Sequence, residues 1–294
     1  MLKLLKTAIG PVFLAGVLAA AQGTIARPGT VNYIEGQVRI DGQPVGAKAM
    51  GSTEVAPGQV LETDQGKAEM LLTPGVMLRL GDNSRVRVVS PSLTNTEVEL
   101  MNGEAMVEAS RLEKENHLSV LDNGVKTELE KNGLYKFNAD QPLLAVYDGK
   151  ARVLENDREV EVGKGKELAL GGQLKPENFD RKQQDGLYQW SRLRSEYEAE
   201  ANQSSVQSIV VTHPGWWYGT GWYWNPWYST WAFVPADGLL YSPFGFGFYS
   251  PAYWYHYTPP RYFVRPGRVV RAPVPLRTPV SPRLSFGGGR AHRR

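Results

Sequence analysis

The chain of 294 residues contains no cysteine. This absence excludes disulfide bonds, thiolate metal sites, cysteine nucleophiles and a lipid-modified N-terminal cysteine. No His-Glu-x-x-His, Gly-x-Ser-x-Gly or phosphate-binding P-loop motif occurs either. The few histidines are far apart in the sequence: His117, His213, His256 and His292. We therefore expect a protein that is not an enzyme and has no catalytic residues, cofactor or metal site.

Acidic residues are missing from the C-terminal end, where the last carboxylate belongs to Asp237. Segment 261–294 carries nine arginines, no lysine and many prolines. Proline at this density with few apolar residues cannot sustain a core, so the sequence predicts a disordered Arg- and Pro-rich tail. Its charge would attract anionic surfaces such as lipid headgroups.

Long apolar runs are absent after the first 21 residues. Segment 1–21 has Lys3 and Lys6, then apolar residues, then Ala19-Ala20-Ala21 as a small-residue cleavage site, which is typical of a signal peptide. An uncleaved anchor is the alternative. We expect an exported protein, periplasmic or associated with the cell envelope, or secreted, without a transmembrane helix in the mature chain.

Alternating apolar and polar residues, separated by Gly, Asn, Asp and Pro, fill the first half of the chain. Segment 22–57 reads as N-terminal strands, including a hairpin with its turn at Glu35-Gly36, and segment 58–175 reads as the main β domain. Within 76–80, Met77 and Arg79 alternate with the apolar residues, which predicts a solvated outer face. The short loops predict sequential antiparallel pairing. The fold class is therefore mainly β: stacked hairpins, a sandwich or a solenoid-like array.

The order of short motifs within 58–170 resembles the FecR-like periplasmic domain. These motifs are GQVLET, AEMLLTPGVMLRLGDNSRVRV, VELMNGEAMVEA, KNGLYKF and LLAVYDGKARVLENDREVEVGKGKELAL. The best-known members of that family relay a signal from an outer-membrane transporter to a cytoplasmic sigma factor. The resemblance implies protein interaction or signal sensing in the bacterial envelope. Only a few residues precede the apolar N-terminal run, so we expect no cytoplasmic domain here.

Segment 176–208 is predicted to be one amphipathic helix. Leu187, Trp190, Leu193, Tyr197 and Ala201 recur every three or four residues and would form one apolar stripe. Such a helix would pack on the sheet or bind a partner. Its residues NFD and QWSRLRSEYEAEAN are also similar to the linker that follows FecR-like domains in exported proteins.

Segment 209–260 is rich in aromatic residues, glycine and proline, and seven of the eight tryptophans of the chain lie in it. This composition predicts irregular structure with short hairpins. The rings could stack as a compact module, form a recognition surface, or lie at a membrane interface; nucleic acid is not expected for an exported protein. The candidate binding residues are Trp216, Trp217, Trp222, Tyr223, Trp224, Trp227, Tyr228 and Trp231.

Two functions follow from these features. The first is a non-enzymatic scaffold whose partner is an envelope protein. The second is a module that binds a cell-wall polymer or polysaccharide through the aromatic segment. The sequence leaves the identity of the ligand and the oligomeric state open.

Overall fold

A computed structural model describes residues 26–156, 158–212 and 219–257. The predicted signal peptide, the predicted tail, Trp216 and Trp217 lie outside these ranges. Strands dominate, as predicted: β1 (Val31–Ile40), β2 (Gln43–Pro44), β3 (Val60–Leu71), β4 (Val76–Leu80), β5 (Arg85–Ser92), β6 (Asn95–Asn102), β7 (Glu104–Ala109), β8 (Ser119–Asp122), β9 (Val125–Leu129), β10 (Gly133–Asn138), β11 (Leu143–Asp148), β12 (Lys150–Glu155), β13 (Arg158–Gly163), β14 (Lys166–Ala169), β15 (Glu177–Asn178), β16 (Gly221–Asn225), β17 (Thr230–Val234), β18 (Leu239–Tyr241) and β19 (Gly247–Tyr249). The helices are α1 (Gly186–Thr212) and α2 (Pro251–Tyr257).

Most strands belong to one large sheet with the order β13-β12-β9-β8-β6-β5-β3-β4-β7-β10-β11-β14-β15, to which β1 and β2 are added beside β3. The hairpins β5–β6, β8–β9, β10–β11 and β12–β13 confirm the predicted antiparallel neighbours. Sequential pairing also holds for β3 with β4, but it is wrong at other points. Strand β5 pairs with β3 rather than with β4, and β6 pairs with β8 in parallel. The turns at Gly81 and Asn102-Gly103 therefore move the chain to another position in the sheet.

The predicted hairpin at Glu35-Gly36 is wrong, because β1 continues through this point as one strand with a bulge. Its partner β3 bends at the same level, where Gly36 pairs with Gly66. A Cβ on Gly36 would lie 2.1 Å from the carbonyl oxygen of Gln65, and Gly36 has a φ of 66°. The glycines at this point thus bend a continuous ladder, rather than ending two strands.

The inner face of the sheet forms one continuous apolar core. Every strand from β1 to β14 except β2 contributes buried side chains to it, and the sheet curls so that β13 contacts β14 and β11 near its other end. Large members include Leu61, Leu78, Tyr135, Phe137 and Val146. This core is the product of the alternating pattern seen in the sequence.

The outer face of one half of the sheet is solvated and charged. Along β5, Val86 and Val88 point inward while Arg85 and Arg87 point outward. The outward residues form ion pairs between side chains of β5, β6, β9, β12 and β13. We call this set the ion-pair ladder; its pairs include Arg87–Glu99 (2.8 Å), Lys126–Glu97 (2.7 Å) and Arg152–Glu128 (2.7 Å).

The outer face of the other half is covered, contrary to the prediction for β4. All five residues of β4 are buried, including Met77 and Arg79. Helix α1 and the hairpin β16–β17 pack over this face, and Met77 joins a second core with Phe233 and Phe248. The alternation in β4 identified the two faces correctly but could not reveal that both would be covered.

Helix α1 begins ten residues later than predicted. Asp185 caps it, because its Oδ1 accepts a hydrogen bond from the backbone N–H of Tyr188 (2.8 Å). The predicted single apolar stripe is wrong in part: Leu187 and Trp190 are buried, whereas Leu193 and Tyr197 are each 47% exposed. The buried face of α1 is therefore rotated about the helix axis relative to the predicted stripe.

The aromatic segment contains the two short hairpins β16–β17 and β18–β19, in line with the predicted hairpins. It also contains helix α2, which the glycine- and proline-rich composition did not indicate. Proline is tolerated in the first turn of a helix. Pro251 takes this place, and Ser250 caps the helix by accepting the Tyr253 N–H at 3.1 Å.

Candidate interaction surface and the charge network beneath it

Half of the buried side chains of helix α1 are polar. A polar group buried without a partner costs roughly 1–3 kcal/mol, so hydrogen bonds to these groups stabilise the packed helix. The buried polar residues of α1 are Ser191, Arg194, Ser195, Glu198, Asn202 and Ser205. The helix is therefore positioned by specific polar contacts as well as by apolar packing.

Arg79 lies at the centre of these contacts and is fully buried. Its Nε donates to Glu69 Oε2 at 2.7 Å, and its Nη1 donates to Glu108 Oε2 at 2.5 Å. The third guanidinium nitrogen, Nη2, lies 3.8 Å from Glu198 Oε2. Because Glu69 and Glu108 stand on the strands that flank β4, one side chain joins β3, β4, β7 and α1.

Arg194 brings a second buried cation from α1. Its Nη2 donates to Glu69 Oε1 at 2.9 Å and lies 3.9 Å from Glu198 Oε1. Its Cζ also lies 3.9 Å from the centre of the Tyr33 ring, a cation–π contact. Arg194 thus connects α1 to both β1 and β3.

Neutral side chains complete the arrangement. Asn32 Nδ2 donates to Glu69 Oε1 at 2.9 Å, while Asn32 Oδ1 accepts the backbone N–H of Trp231 in β17 at 2.8 Å. Ser195 Oγ donates to Glu108 Oε1 at 2.8 Å. We call the whole set the charge network: Asn32, Glu69, Arg79, Glu108, Arg194, Ser195 and Glu198.

The charges of this network balance if one carboxyl group holds a proton. Three glutamates face two arginines. Burial, and then repulsion from Glu69, raises the pKa of Glu198 well above its ordinary value. Burial opposes the ionised form of Glu69 too, but Arg194 and Arg79 outweigh it and hold the pKa of Glu69 below its ordinary value. A protonated Glu198 leaves two carboxylates against two guanidinium groups, which avoids an uncompensated buried charge.

Two asparagines attach the aromatic hairpins to α1. Asn202 Nδ2 donates to the carbonyl oxygens of Phe233 (2.8 Å) and Tyr249 (3.0 Å), so this one side chain bonds to β17 and β19. Asn225 Nδ2 donates to the carbonyl oxygen of Ala201 at 3.0 Å. These bonds fix the hairpins on the helix.

Two of the tryptophans predicted to bind a partner are instead buried. Trp222 and Trp231 are only 6% and 4% exposed. Trp222 meets Phe233 edge-on at 5.9 Å between ring centres, and Phe233 meets Phe248 edge-on at 5.6 Å. Trp231 Nε1 donates to the Gly51 carbonyl oxygen at 2.7 Å. These rings form the cover over β4, so this part of the aromatic segment is core.

Three other predicted rings face solvent at one turn. Trp227 is 85% exposed, and Trp224 and Tyr228 are about two-fifths exposed. Asn225 Oδ1 orders the turn by accepting the N–H groups of Trp227 (3.0 Å) and Tyr228 (3.2 Å). We call Trp224, Trp227 and Tyr228 the exposed aromatic turn. Tyr223, the remaining candidate in the described ranges, is partly buried beside Val206 and Val210.

Within the described ranges, no group of three or more His, Asp or Glu side chains is placed to hold a metal ion. Neither of the two described α-helices combines the length and hydropathy needed to cross a bilayer.

Residues 59–152 match the family model described as FecR protein. This segment is a FecR domain. The predicted resemblance is confirmed. The FecR domain extends from the start of β3 into β12, so β1, β14, α1 and the aromatic hairpins lie outside the matched range.

Two crystal structures of a proposed anti-sigma factor from Parabacteroides distasonis ATCC 8503 are similar to part of this chain. The structure at 1.65 Å has a TM-score of 0.36 and 14% identity, and the match covers 42% of this chain and 61% of that one. The structure at 2.50 Å has a TM-score of 0.36 and 12% identity, with 51% and 72% covered. The chain thus spans about three-fifths of the first structure. No curated protein matches the sequence.

The sequence pattern does not reveal the charge network. The alternation in β4 predicts a solvated face for Arg79, and the four-residue spacing of Arg194 and Glu198 is typical of ion pairs on an exposed helix surface. One signal was available: Arg194, Glu198 and Asn202 recur every four residues. Such a polar row becomes informative only when the cover over β4 is known.

Proposed function

We propose that this protein is a non-enzymatic scaffold, exported to the bacterial cell envelope, that acts through protein interaction or signal sensing. One observation carries the proposal. The exposed aromatic turn is held rigidly on the FecR domain, because Asn225 orders the turn and binds α1, and the charge network binds α1 to the sheet. Rigid, exposed tryptophan and tyrosine side chains are the residues that most often dominate the energy of protein interfaces.

The test compares the wild-type chain with the double variant Trp227→Ala/Tyr228→Ala in the native envelope. Crosslinking followed by purification and mass spectrometry should recover a defined envelope protein with the wild type and lose it with the variant. Tyr241→Ala is the matched control, because Tyr241 is 63% exposed but lies in β18, outside this turn. Recovery of the same partner with the double variant would contradict the proposed role of the turn.

A cell-wall polymer or polysaccharide is the second candidate partner, and the exposure of Trp227 favours it. A flat ring that is 85% exposed offers a stacking surface, and the carboxylate of Glu200, 3.5 Å from the Tyr228 hydroxyl, offers hydrogen bonds to sugar hydroxyls. Sedimentation with purified peptidoglycan should then deplete the wild type, but not the double variant, from solution. Equal depletion of both would exclude the turn as the binding site.

Export and the tail need their own measurements. Intact mass of the protein recovered from the periplasm or medium should correspond to cleavage after Ala21, and a mass that includes Met1 would contradict it.

Contact of the Arg-rich tail with anionic surfaces predicts binding to vesicles containing phosphatidylglycerol that is lost at high salt. Binding that does not weaken as the salt concentration rises would argue against this contact.

A further inference from the structure

Two open cavities lie next to each other along β11, away from the exposed aromatic turn. One has a volume of about 300 Å³ and is lined by Tyr147 and Asp148 at the end of the strand. The other has a volume of about 560 Å³ and is lined by Leu143, Ala145 and Tyr147. The loop between β15 and α1 forms a wall of both cavities, and Tyr147 and Gln184 belong to both.

The two cavities carry opposite charge. The smaller one has three cationic side chains, Lys164, Arg181 and Lys182, and one carboxylate, Asp148, which pairs with Lys164 at 2.8 Å. Arg181 donates from Nη1 to the Tyr147 carbonyl oxygen at 3.3 Å. Neither Arg181 nor Lys182 has a carboxylate partner among the described residues. This cavity therefore presents cations that are available to an anion.

The larger cavity has three carboxylates, Glu167, Asp180 and Asp185, and one ammonium group, Lys136. Lys136 pairs with Asp185 and, at 2.7 Å, with Glu104. In the described part of the chain, Glu167 and Asp180 have no such cationic partner. They are therefore available to a ligand that brings an ammonium group.

The wall between the two charged regions is aromatic. Tyr147 meets the Phe179 ring edge-on at 4.9 Å between ring centres, and the centre of the Tyr188 ring lies 5.0 Å from that of Tyr147. Tyr147 is itself held by its hydroxyl, which donates to the Gln183 carbonyl oxygen at 3.4 Å. An apolar surface between a cationic and an anionic region suits a ligand with charged ends and an uncharged middle.

We propose that this bipolar groove binds a short peptide with free termini, its carboxylate in the cavity of Arg181 and Lys182 and its ammonium group in the cavity of Glu167 and Asp180. Moving from Asp148 to Leu143 along a strand covers roughly 17 Å at about 3.3 Å per residue. An extended tripeptide spans about 10 Å, which fits within this length. The combined volume is in the range of small-ligand sites. The proposal does not depend on the exposed aromatic turn.

The test titrates the full-length chain with trialanine and with its N-acetylated, C-amidated and doubly capped forms, by calorimetry at low salt and pH 7. Trialanine should bind, and each single cap should weaken binding roughly tenfold, since a hydrogen bond to a charged group is worth about that factor. The doubly capped peptide should not bind measurably. Failure of trialanine to bind at millimolar concentration, or equal binding of all four peptides, would overturn the proposal.

Two double variants test the polarity. Arg181→Gln/Lys182→Gln should weaken trialanine binding about tenfold and abolish the effect of C-amidation, while N-acetylation still weakens it. Glu167→Gln/Asp180→Asn should abolish the effect of N-acetylation, while C-amidation still weakens binding. The Asp180→Asn change keeps an oxygen that can accept the backbone N–H of Lys182, as Asp180 Oδ1 does at 3.0 Å. Lys114→Gln/Glu115→Gln, at exposed positions outside both cavities, should bind like the wild type. Loss of binding in this control, or the same cap dependence in all variants, would contradict the assigned sites.

Discussion

The two halves of the sheet present similar residues on their outer faces and place them in different surroundings. In the ion-pair ladder, Arg87 and Glu99 are each more than a third exposed in their side chains. In the charge network, Arg79 and Glu108 are completely buried. Both pairs arise from arginine and glutamate on neighbouring antiparallel strands. The surroundings decide their energetic role, because a solvated pair contributes little whereas a buried charge must stay paired.

The largest effect should come from removing the central cation of the charge network. Arg79→Met leaves Glu108 buried without its cationic partner and Glu69 with Arg194 alone, and we expect a loss of about 3–5 kcal/mol in the free energy of unfolding, or failure to fold. Arg87→Met in the ion-pair ladder is the matched control and should cost about 0–1 kcal/mol. Urea unfolding of both variants measures the difference. Equal losses would mean that the two faces do not differ as described.

The cover over β4 predicts a similar contrast between tryptophans. Trp231→Ala removes a buried ring and its hydrogen bond to Gly51, and should cost about 3–5 kcal/mol. Trp227→Ala, in the exposed aromatic turn, should change stability by less than about 0.5 kcal/mol. Thermal or urea unfolding can compare them. A large loss for Trp227→Ala would show that this ring supports the fold.

The raised pKa of Glu198 predicts an effect of pH. The stability that protonated Glu198 contributes is complete below the ordinary pKa of the unfolded chain and is lost as pH rises towards the raised pKa of the folded state. Glu198→Gln has no proton to lose, so its free energy of unfolding relative to that of the wild type should rise between pH 5 and pH 8, by at most about 1.4 kcal/mol per pH unit for a single proton. Urea unfolding at both pH values tests this. Glu99→Gln should show no such gain, and a difference for Glu198→Gln that does not grow with pH would refute the assignment.

The smallest expected effect concerns salt. A double-mutant cycle on Arg87 and Glu99 should give a coupling energy of about 0.2–1 kcal/mol that falls in 1 M NaCl, where the Debye length is about 3 Å. The same cycle on Arg79 and Glu108 should give a larger coupling that salt barely changes, because the pair is out of contact with solvent. Salt dependence in both pairs would indicate that water reaches the charge network.

The inner core could be predicted from the sequence because it rests on local alternation. Strands β7 and β9 lie within the predicted β domain, and the alternating residues Val86 and Val88 of β5 face inward. The pairing of the strands was harder to predict, because short loops suggest that strands adjacent in sequence also pair in the sheet. The Gly-Asp-Asn turn after β4 reverses the chain, but β5 pairs with β3 because the bend in β3 divides its edge between β4 and β5.

The candidate sites were predictable only in part, for a physical reason. Exposed and buried tryptophans have the same composition signal: Trp222 and Trp231 belong to the core, whereas Trp224 and Trp227 face solvent. Whether a tryptophan is buried or exposed depends on its position in the β16–β17 hairpin and on how this hairpin packs against α1. The bipolar groove likewise brings β11 and β14 together with a loop that the sequence assigned to the helix.

The position of the charge network along the chain has a consequence for the order of folding. Glu69, Arg79 and Glu108 are made well before Arg194 and Glu198, since a chain emerges N-terminus first. Until α1 arrives, these earlier side chains on the outer face remain hydrated beside the apolar Met77. Docking of α1 then removes that water, because these side chains are fully buried in the folded protein. In a protein that has not yet docked α1, the outer face of β4 would be exposed to solvent. A hydrophobic dye that binds only during refolding would detect this exposed face.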